Sequence, residues 1–344
     1  LDSMANLKVA FLSLQNRLVG TPKLWDFYRF KSVDPILLAT KQDHFPALIQ
    51  SLLQVDPELS EESSRALNLF SHEVMAAKRL HEFCLLELLL KTGSVRISDL
   101  KELFEVEGLL AGEVQINGVM DTLLLRGYPR ADINRYRTGV IELVNETIRL
   151  TQAFRFALEE NPRLRVAIKD LIKTGKAVTR DRYGPNSLFT PGMQYSRRDA
   201  ARIVGWPRAT ASTIYGYKSD VESGICTVFV TLEKSSGIGA STAYQDELLD
   251  PSTLRWYSKS RRSLASKDVA GIISGQVKIF VFVKKDDALG SDHYYLGRAT
   301  THDAEETTMA GTNGEPLSVV TMLLKFDEPI QQGLFDYFYS REKN

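Results

Sequence analysis

The chain has 344 residues, of which 43% are hydrophobic and 25% are charged, and its formal net charge is +0. This ordinary composition excludes a chain that is disordered throughout, and the length predicts two or more domains. The balanced charge excludes nucleic-acid binding through overall charge, so such binding needs a local basic patch. No apolar run is long enough to span a bilayer, and Leu1–Leu12 lacks the basic start of a signal peptide.

Two further features concern the cellular compartment and the parent protein. Cys84 and Cys226 lie far apart in apolar segments, which predicts two buried free thiols rather than a disulfide. Free thiols are typical of a reducing compartment, so we expect a cytoplasmic protein. The chain starts at Leu1 without a methionine, which predicts a piece of a longer protein.

Helical spacing of apolar residues dominates the first half of the chain. Ser60 and the two glutamates that follow it predict a capped helix start. We therefore expect residues 1–175 to form an all-α connector domain. The predicted helices cover Asn6–Leu18, Asp34–Thr40, Phe45–Leu53, a segment after Ser60, and residues 81–90, 138–158 and 162–173.

A winged-helix module is expected inside this connector. Its elements are a short strand at Val95–Ile97, a helix capped by Ser98, and a further helix over Gln115–Arg126. Winged helices bind DNA in many proteins and act as structural spacers in others. Because few cations lie on Gln115–Arg126 and phosphate contacts dominate DNA affinity, the spacer role is favoured.

The composition changes over residues 176–194, where glycine, proline and asparagine predict an interdomain linker. The second domain, residues 195–344, opens with a short helix over Ser196–Val204 and continues mostly as strands. A long loop, followed by a helix that starts near Ser266, separates the second strand from the third. We expect an α+β chain whose second domain is a curved β-sheet or barrel. The predicted strands are Thr213–Lys218, Cys226–Leu232, Lys278–Lys284, His293–Arg298 and Leu317–Phe326.

The loop over Ser241–Ser266 collects the side chains that a nucleic-acid site needs. Tyr244 and Trp256 offer flat faces for stacking, and Asp246 and Glu247 offer acceptors near the first of them. The alternative is that both aromatic residues lie in the core and that the basic run after them is a solvated turn. The hydroxyls and cations suited to a phosphate backbone are Ser258, Lys259, Ser260, Arg261, Arg262 and Lys267.

Catalytic motifs are missing from the sequence. There is no GxxxxGK(S/T) P-loop, no HExxH, no CxxC and no HxK dyad of the phospholipase-D type. The tripeptide Leu232-Glu233-Lys234 lacks the intervening residue of a PD-(D/E)xK nuclease motif. We therefore expect a binding module, not an enzyme, with no catalytic residue, no metal ion and no cofactor.

Five segments carry a resemblance to a known family: SRRDAARIVGW, STIYGYK, STAYQDELLDPSTLRWYSKSRRSLASK, IFVFVKKDD and DHYYLGRA. In that order, over residues 196–338, they resemble the C-terminal domain of modification-dependent, type IV restriction enzymes of the SauUSI kind. The resemblance implies an SRA-like domain of the PUA superfamily. Such a domain recognises 5-methylcytosine or 5-hydroxymethylcytosine in double-stranded DNA by base flipping.

The resemblance also implies partners and residue roles. In this family a phospholipase-D-like nuclease and a helicase motor precede the helical connector, and a homodimer of the full-length bacterial protein is one assembly this allows. SRA domains hold the flipped base between two aromatic side chains and accept its exocyclic amine with an Asp. STAYQDE occupies a place comparable to the SRA segment GGYEDD. The implied pocket consists of Tyr244 as first stacking residue, Asp246 or Glu247 as acceptor, Trp256 or Tyr257 as second stacking residue, and Tyr215.

Two other functions stay open. The helical part suits a regulatory or oligomerisation scaffold that couples the motor to the nuclease without any base pocket. The PUA superfamily also includes RNA-binding modules, so an RNA ligand is the third alternative.

Overall fold

A computed structural model describes residues 3–137, 139–233, 246–311 and 315–339. The chain divides into two compact units, Leu1–Leu188 (unit 1) and Phe189–Asn344 (unit 2), each with its own hydrophobic core. No helix in these ranges combines the length and the apolar character that a membrane span requires.

Unit 1 is mostly helical, as the sequence predicts. Polar side chains start several of its helices: Ser3, Asp34, Ser60 and Thr151 each accept a backbone N–H of the turn that follows. The cap predicted at Ser60 is therefore confirmed. The helices are α1 (Met4–Gln15), α2 (Leu24–Arg29), α3 (Pro35–Thr40), α4 (Phe45–Leu53), α5 (Glu61–Leu69), α6 (His81–Thr92), α7 (Leu100–Val106), α8 (Glu113–Leu124), α9 (Arg130–Tyr136), α10 (Gln152–Glu160) and α11 (Pro162–Arg182), with a π-helical turn over Phe70–Met75 and a 3-10 turn over Ile97–Asp99.

An antiparallel sheet interrupts these helices, so unit 1 is not all-α. Its strands are β1 (Ser94–Arg96), β2 (Ile141–Val144) and β3 (Thr147–Leu150), in the order β1-β3-β2. Apart from the intervening α9, the chain runs α6-β1-α7-α8-β2-β3. The order β1-α7-α8 is that of the three elements predicted for the winged-helix module, and the β2–β3 hairpin that follows was not predicted.

The long helix predicted over residues 138–158 is wrong, because the middle of this segment forms the β2–β3 hairpin. Its turn residues Asn145 and Glu146 have φ of 47° and 60°. Positive φ at both central residues is what the commonest two-residue hairpin turn requires. Ile148 and Leu150 are buried while the residue between them is exposed, so the apolar period is two and not 3.6.

Helix α11 is longer than the sequence predicts. It continues to Arg182 and so occupies the start of the segment 176–194 that its composition predicts as a linker. Gly175 does not end the helix but permits close packing, since a Cβ there would lie 2.3 Å from the ring of Phe83. The two units divide after Leu188, inside the predicted linker segment.

Unit 2 is built on a mixed sheet, as the sequence predicts for this part of the chain. The sheet order is β5-β6-β9-β10-β11-β8-β7, and β4 pairs with β10. The β6–β9 pair is parallel, whereas the other pairs are antiparallel. Its elements are β4 (Gln194–Tyr195), α12 (Arg197–Ile203), a 3-10 turn (Arg208–Thr213), β5 (Tyr217–Asp220), β6 (Ile225–Glu233), β7 (Glu247–Asp250), β8 (Thr253–Tyr257), α13 (Lys267–Ile273), β9 (Lys278–Asp286), a 3-10 turn (Asp287–Leu289), β10 (His293–Ala310), β11 (Pro316–Phe326) and α14 (Gln332–Tyr339).

The strands with long runs of β-branched and aromatic residues are confirmed within two residues at each end. They are the strands predicted over residues 226–232, 278–284 and 317–326. The helix predicted near Ser266 is confirmed as α13, and β10 starts at His293 as predicted but is much longer. The strand predicted over Thr213–Lys218 is wrong at its start, because the chain is in a 3-10 turn up to Thr213 and β5 begins at Tyr217.

The predicted loop over Ser241–Ser266 contains the β7–β8 hairpin. Strand β8 also pairs with β11, which places Leu254 opposite Leu324 and Trp256 opposite Met322. These four side chains are buried in the core of unit 2. Each strand of the hairpin is so short that its alternation of polar and apolar residues does not stand out in the sequence.

The two cysteines lie in different units. Cys84 and Cys226 are both buried free thiols, as the sequence predicts. Burial raises the pKa of the Cys84 thiol to about 12, so this side chain stays neutral and packs as a small apolar group.

Candidate functional site

The β7–β8 hairpin brings a predicted acceptor close to Trp256 and Tyr257, the two candidates for the second stacking residue. Asp246 accepts a hydrogen bond at its Oδ1 from the backbone N–H of Tyr257, at 3.1 Å. Glu247 lies opposite Arg255 in the strand register, and its Oε2 accepts from Arg255 Nη1 at 2.9 Å. Of the two candidate acceptors, Asp246 therefore contacts the backbone of Tyr257, and Glu247 forms an exposed ion pair.

The two aromatic residues of β8 have different surroundings because successive side chains of a strand point to opposite faces. Trp256 is 2% exposed and packs edge-to-face on Tyr217, with ring centroids 4.9 Å apart. It thus occupies the core position of the alternative interpretation and offers no open face for a base. Tyr257 is only half-buried and lies on the other face of the strand.

Two further predicted pocket residues, Tyr215 and Tyr244, precede the hairpin in the chain. Tyr244 lies outside the described residues. Tyr215 is 73% exposed and sits just before β5, where an isolated bridge joins it to Tyr217. Its ring is accessible, whereas that of Tyr217 is fully buried.

A polar network lies next to the hairpin. The Tyr217 hydroxyl donates to Asp268 Oδ2 at 2.7 Å, and Arg262 Nε donates to the same oxygen at 2.9 Å. Lys259 Nζ lies 4.5 Å from the centroid of the Tyr217 ring. Two cations of the predicted DNA-contacting run are thus held in place by a buried tyrosine and a carboxylate.

The network changes the acidity of its members. Burial opposes ionisation of Asp268, but hydrogen bonds from Tyr217 and Arg262 outweigh it and lower the pKa of this carboxyl. Burial lowers the pKa of Lys259, although the nearby Asp268 acts in the opposite direction. The hydrogen bond to Asp268 raises the pKa of Arg262, so its charge is secure.

The other predicted backbone-contacting residues fall into two groups. Ser258 is fully buried, and its hydroxyl accepts from the N–H of Val320 at 2.9 Å, so it ties β8 to β11. Arg261 and Lys267 are exposed, and Ser260 is half-buried. Arg261 has φ of 61°, and its N–H donates to the carbonyl of Ser318 at 2.7 Å, which fixes this turn against β11.

Two members of the network were not predicted from the sequence. Tyr217 and Asp268 are its centre, and neither was assigned to the site. Tyr217 stands in the segment STIYGYK, which was singled out only for Tyr215. Asp268 lies 51 residues further along the chain. A charged residue in the first turn of α13 is ordinary helix chemistry, so no local pattern indicates its distant partner.

The described ranges hold no group of three or more His, Cys, Asp or Glu side chains placed to bind a metal ion. The hairpin and the network beside it present aromatic side chains, carboxylates and cations. Such an arrangement suits binding of a planar, negatively charged partner.

Each unit matches a family model. The model described as "Domain of unknown function (DUF8090)" matches residues 7–183, just over half of the chain, and the chain belongs to this family. The model described as "Domain of unknown function (DUF3427)" matches residues 189–338, which lie in unit 2. No curated protein matches the chain.

The chain is also similar to solved structures, of which three are described here. The DNA modification-dependent restriction endonuclease AspBHI is 15% identical, with a TM-score of 0.28, over 40% of this chain and 71% of AspBHI. The sulfur-binding and SRA domains of ScoMcrA, complexed with phosphorothioated DNA, are 11% identical with a TM-score of 0.30, over 78% and 92%. The type IV phosphorothioation-dependent restriction endonuclease ScoMcrA itself is 9% identical with a TM-score of 0.28, over 99% and 72%. TM-scores this low do not establish a shared fold or function.

Proposed function

We propose that unit 2 binds double-stranded DNA that contains a modified cytosine, and that it flips this base into a pocket beside the β7–β8 hairpin. The observation that carries the proposal is the hydrogen bond from the Tyr257 N–H to Asp246, which fixes a carboxylate beside a half-buried aromatic residue. Both residues lie in the segment that resembles the base-binding part of SRA domains. The pocket residues are Tyr244 and Tyr257 as stacking faces and Asp246 as acceptor.

The energetics of flipping support this assignment. Extruding a base from the duplex costs a few kcal/mol. Two stacking contacts of about 1–3 kcal/mol each can offset that cost. An ionised carboxylate has about four lone-pair sites, so a carboxylate bound to the backbone can also accept from a cytosine amine.

The run after β8 supplies the cations for the DNA backbone. Arg261 and Lys267 are exposed, and Arg262 and Lys259 are held next to them by Asp268 and Tyr217. Cations placed in this way neutralise phosphates and release counterions, which gives affinity without sequence information. The modification would thus be recognised in the pocket and the duplex held by the basic run.

The proposal extends to the longer protein that the family resemblance implies. There, unit 2 is the specificity region of a cytoplasmic bacterial type IV restriction enzyme, and unit 1 connects it to a helicase motor and a nuclease. The chain itself would bind without cleaving. The modification is 5-methylcytosine or 5-hydroxymethylcytosine, and phosphorothioated DNA, named for the ScoMcrA domains, is the competing ligand to test.

The decisive experiment is a set of equilibrium titrations with matched duplexes. The duplexes are unmodified, carry 5-methylcytosine or 5-hydroxymethylcytosine, or carry a phosphorothioate, and an RNA duplex completes the series. We expect the modified-cytosine duplexes to bind more tightly than all others. Preference for the phosphorothioate or for RNA, or binding to none of them, would contradict the proposal and favour the other ligand or the scaffold role.

Variants of the pocket sharpen this test. Tyr257→Ala should weaken binding to the modified duplex by about 1–3 kcal/mol, whereas Tyr257→Phe keeps the ring and should retain it. Asp246→Asn keeps an oxygen for the Tyr257 N–H but also presents an NH2, so it should lose selectivity without unfolding. Tyr244→Ala should behave like Tyr257→Ala. Full selectivity in a folded Tyr257→Ala protein, as judged by a thermal melt, removes this residue from the pocket.

A further inference from the structure

Unit 1 contains an open cavity of about 500 Å³ that the proposed function does not use. It lies between the segment that follows α1, the start of α2, and α11. Its apolar wall includes Leu18, Val166 and the ring of Trp25. Three lysines, two aspartates and one threonine supply its polar side chains. Its volume is within the range of small-molecule sites, which is about 300–1,000 Å³.

The two aspartates serve the fold of α2. Asp170 accepts the backbone N–H groups of Leu24 and Trp25, at 2.8 and 3.2 Å. Asp26 accepts the backbone N–H of Lys23 at 2.8 Å. Both carboxylates are therefore bound to the donors at the start of a helix, and burial raises the pKa of Asp170. Their negative charge is partly compensated by the protein itself.

The three lysines are placed differently. Lys169 and Lys173 lie one turn apart on α11 and thus share a face, and Lys23 lies across the cavity. Lys173 Nζ lies 3.7 Å from the centroid of the Trp25 ring. The charge of Lys23 acts on the nearby Asp170 and favours its ionised form. Within the part of the chain that the structure describes, Lys169 and Lys173 form no ion pair with a carboxylate.

We propose that this cavity binds a nucleoside phosphate, either as a free nucleotide or as one unit of a single strand. The lysines would hold the phosphate, and the base would lie against the apolar wall beside Trp25. Trp25 is half-buried and its ring also contacts Tyr28. The ammonium of the exposed Lys173 can leave the indole for a phosphate, and the base would then take its place at the ring. Two lysines that share a helix face, form no ion pair and lie next to an indole are a combination that can recognise such a ligand.

The test uses the full chain and isothermal titration with four probes: inorganic phosphate, thymidine monophosphate, ATP and a twelve-nucleotide oligothymidylate. We expect at least one nucleoside phosphate to bind, and to bind more tightly than inorganic phosphate. Tighter binding of the oligonucleotide than of the monophosphate identifies a strand, and preference for ATP identifies a free nucleotide. No binding of any nucleoside phosphate, or equal affinity for inorganic phosphate, overturns the proposal.

Two charge-matched variants locate the site. Lys169→Gln with Lys173→Gln should reduce nucleotide affinity by roughly tenfold or more, because two charge-assisted contacts are lost. Lys91→Gln with Lys101→Gln removes the same charge from exposed ion pairs elsewhere in unit 1 and should change nothing. Since all four side chains are exposed, unfolding is not expected, and a thermal melt verifies it. Equal losses in both double variants would place nucleotide binding outside this cavity.

One more variant separates this site from the DNA site of unit 2. Arg261→Ala with Arg262→Ala should leave mononucleotide binding intact, even if it weakens binding of duplex DNA. If mononucleotide binding is lost in that variant but kept in the Lys169 and Lys173 variant, the ligand binds in unit 2 and the cavity proposal is wrong.

Discussion

The two units hold their cations in different ways. In unit 2, Arg262 and Lys259 are engaged by Asp268 and the Tyr217 ring, so the basic run is fixed before any ligand arrives. In the cavity of unit 1, by contrast, the carboxylates are bound to backbone donors. A count of charges treats both regions alike. Only the partners reveal which cations are part of the fold and which are available to a ligand.

The largest expected effect is a loss of stability of unit 2 when the carboxylate that holds its cations is removed. Asp268→Ala removes the acceptor shared by Tyr217 and Arg262 and leaves a buried hydroxyl without its partner. We expect the free energy of unfolding of unit 2 to fall by about 2–3 kcal/mol. Chemical denaturation followed by circular dichroism measures it, and Glu328→Ala, at an exposed acid of the same unit, is the control. A loss no larger than the control's would mean that the network does not hold the fold.

Acid should destabilise both units, because each holds a buried histidine that stays neutral when folded. Burial lowers the pKa of His44 in unit 1 to about 4 and that of His293 in unit 2 to about 3. An unfolded histidine takes up a proton near pH 6.5, so below that pH the unfolded state binds more protons and stability falls. Between pH 7 and pH 5 we expect each histidine to contribute a loss of about 2 kcal/mol.

Unit 1 should be the more acid-sensitive of the two. Burial also lowers the pKa of His72 and of His81 in that unit, so their protonation opposes folding in the same direction. Unfolding at stepwise pH, with the transitions of the two units resolved, measures the difference. His293→Phe should flatten the response of unit 2 alone. If the stability of the unaltered protein does not change between pH 7 and pH 5, the prediction is wrong.

The smallest effects concern neighbouring arginines. Arg261→Ala removes an exposed cation that has no part in the Asp268 network, so it should weaken binding of modified and unmodified duplex alike and leave stability unchanged. Each lost phosphate contact should lower the slope of log affinity against log salt by about one. Arg262→Ala should do the same and also lower the melting temperature, since it breaks the pair with Asp268. If neither variant alters the salt slope, the basic run is only a solvated turn.

The parts of the fold that sequence predicts well are those in which one signal extends over many residues. Strands β6, β9 and β11 are long and rich in β-branched residues, and their bounds follow from that alone. The hairpins β2–β3 and β7–β8 are short. The first was predicted as a helix because its apolar residues happen to have helical spacing, and the second was predicted as a loop because of its composition. Local patterns fail where pairing with a distant strand decides the structure.

The candidate site follows the same rule. Its segment is evident from composition, because aromatic, acidic and basic residues occur together there. The choice between Trp256 and Tyr257 is not evident, since it depends on which of them faces the core when β8 pairs with β11. The contact of Asp246 with Tyr257 likewise depends on the β7–β8 register, and Asp268 meets Tyr217 only in the folded unit.

The pairing of β8 with β11 has a consequence for the order of events during synthesis. Unit 1 has its own core and is complete once the ribosome has released residue 188, so it can fold early. The β7–β8 hairpin follows after β4, α12, β5 and β6, but the strand that holds it, Pro316–Phe326, is made some sixty residues later still. An isolated hairpin is at best marginally stable in water. A nascent chain would therefore carry a folded unit 1 well before the proposed base pocket of unit 2 could form.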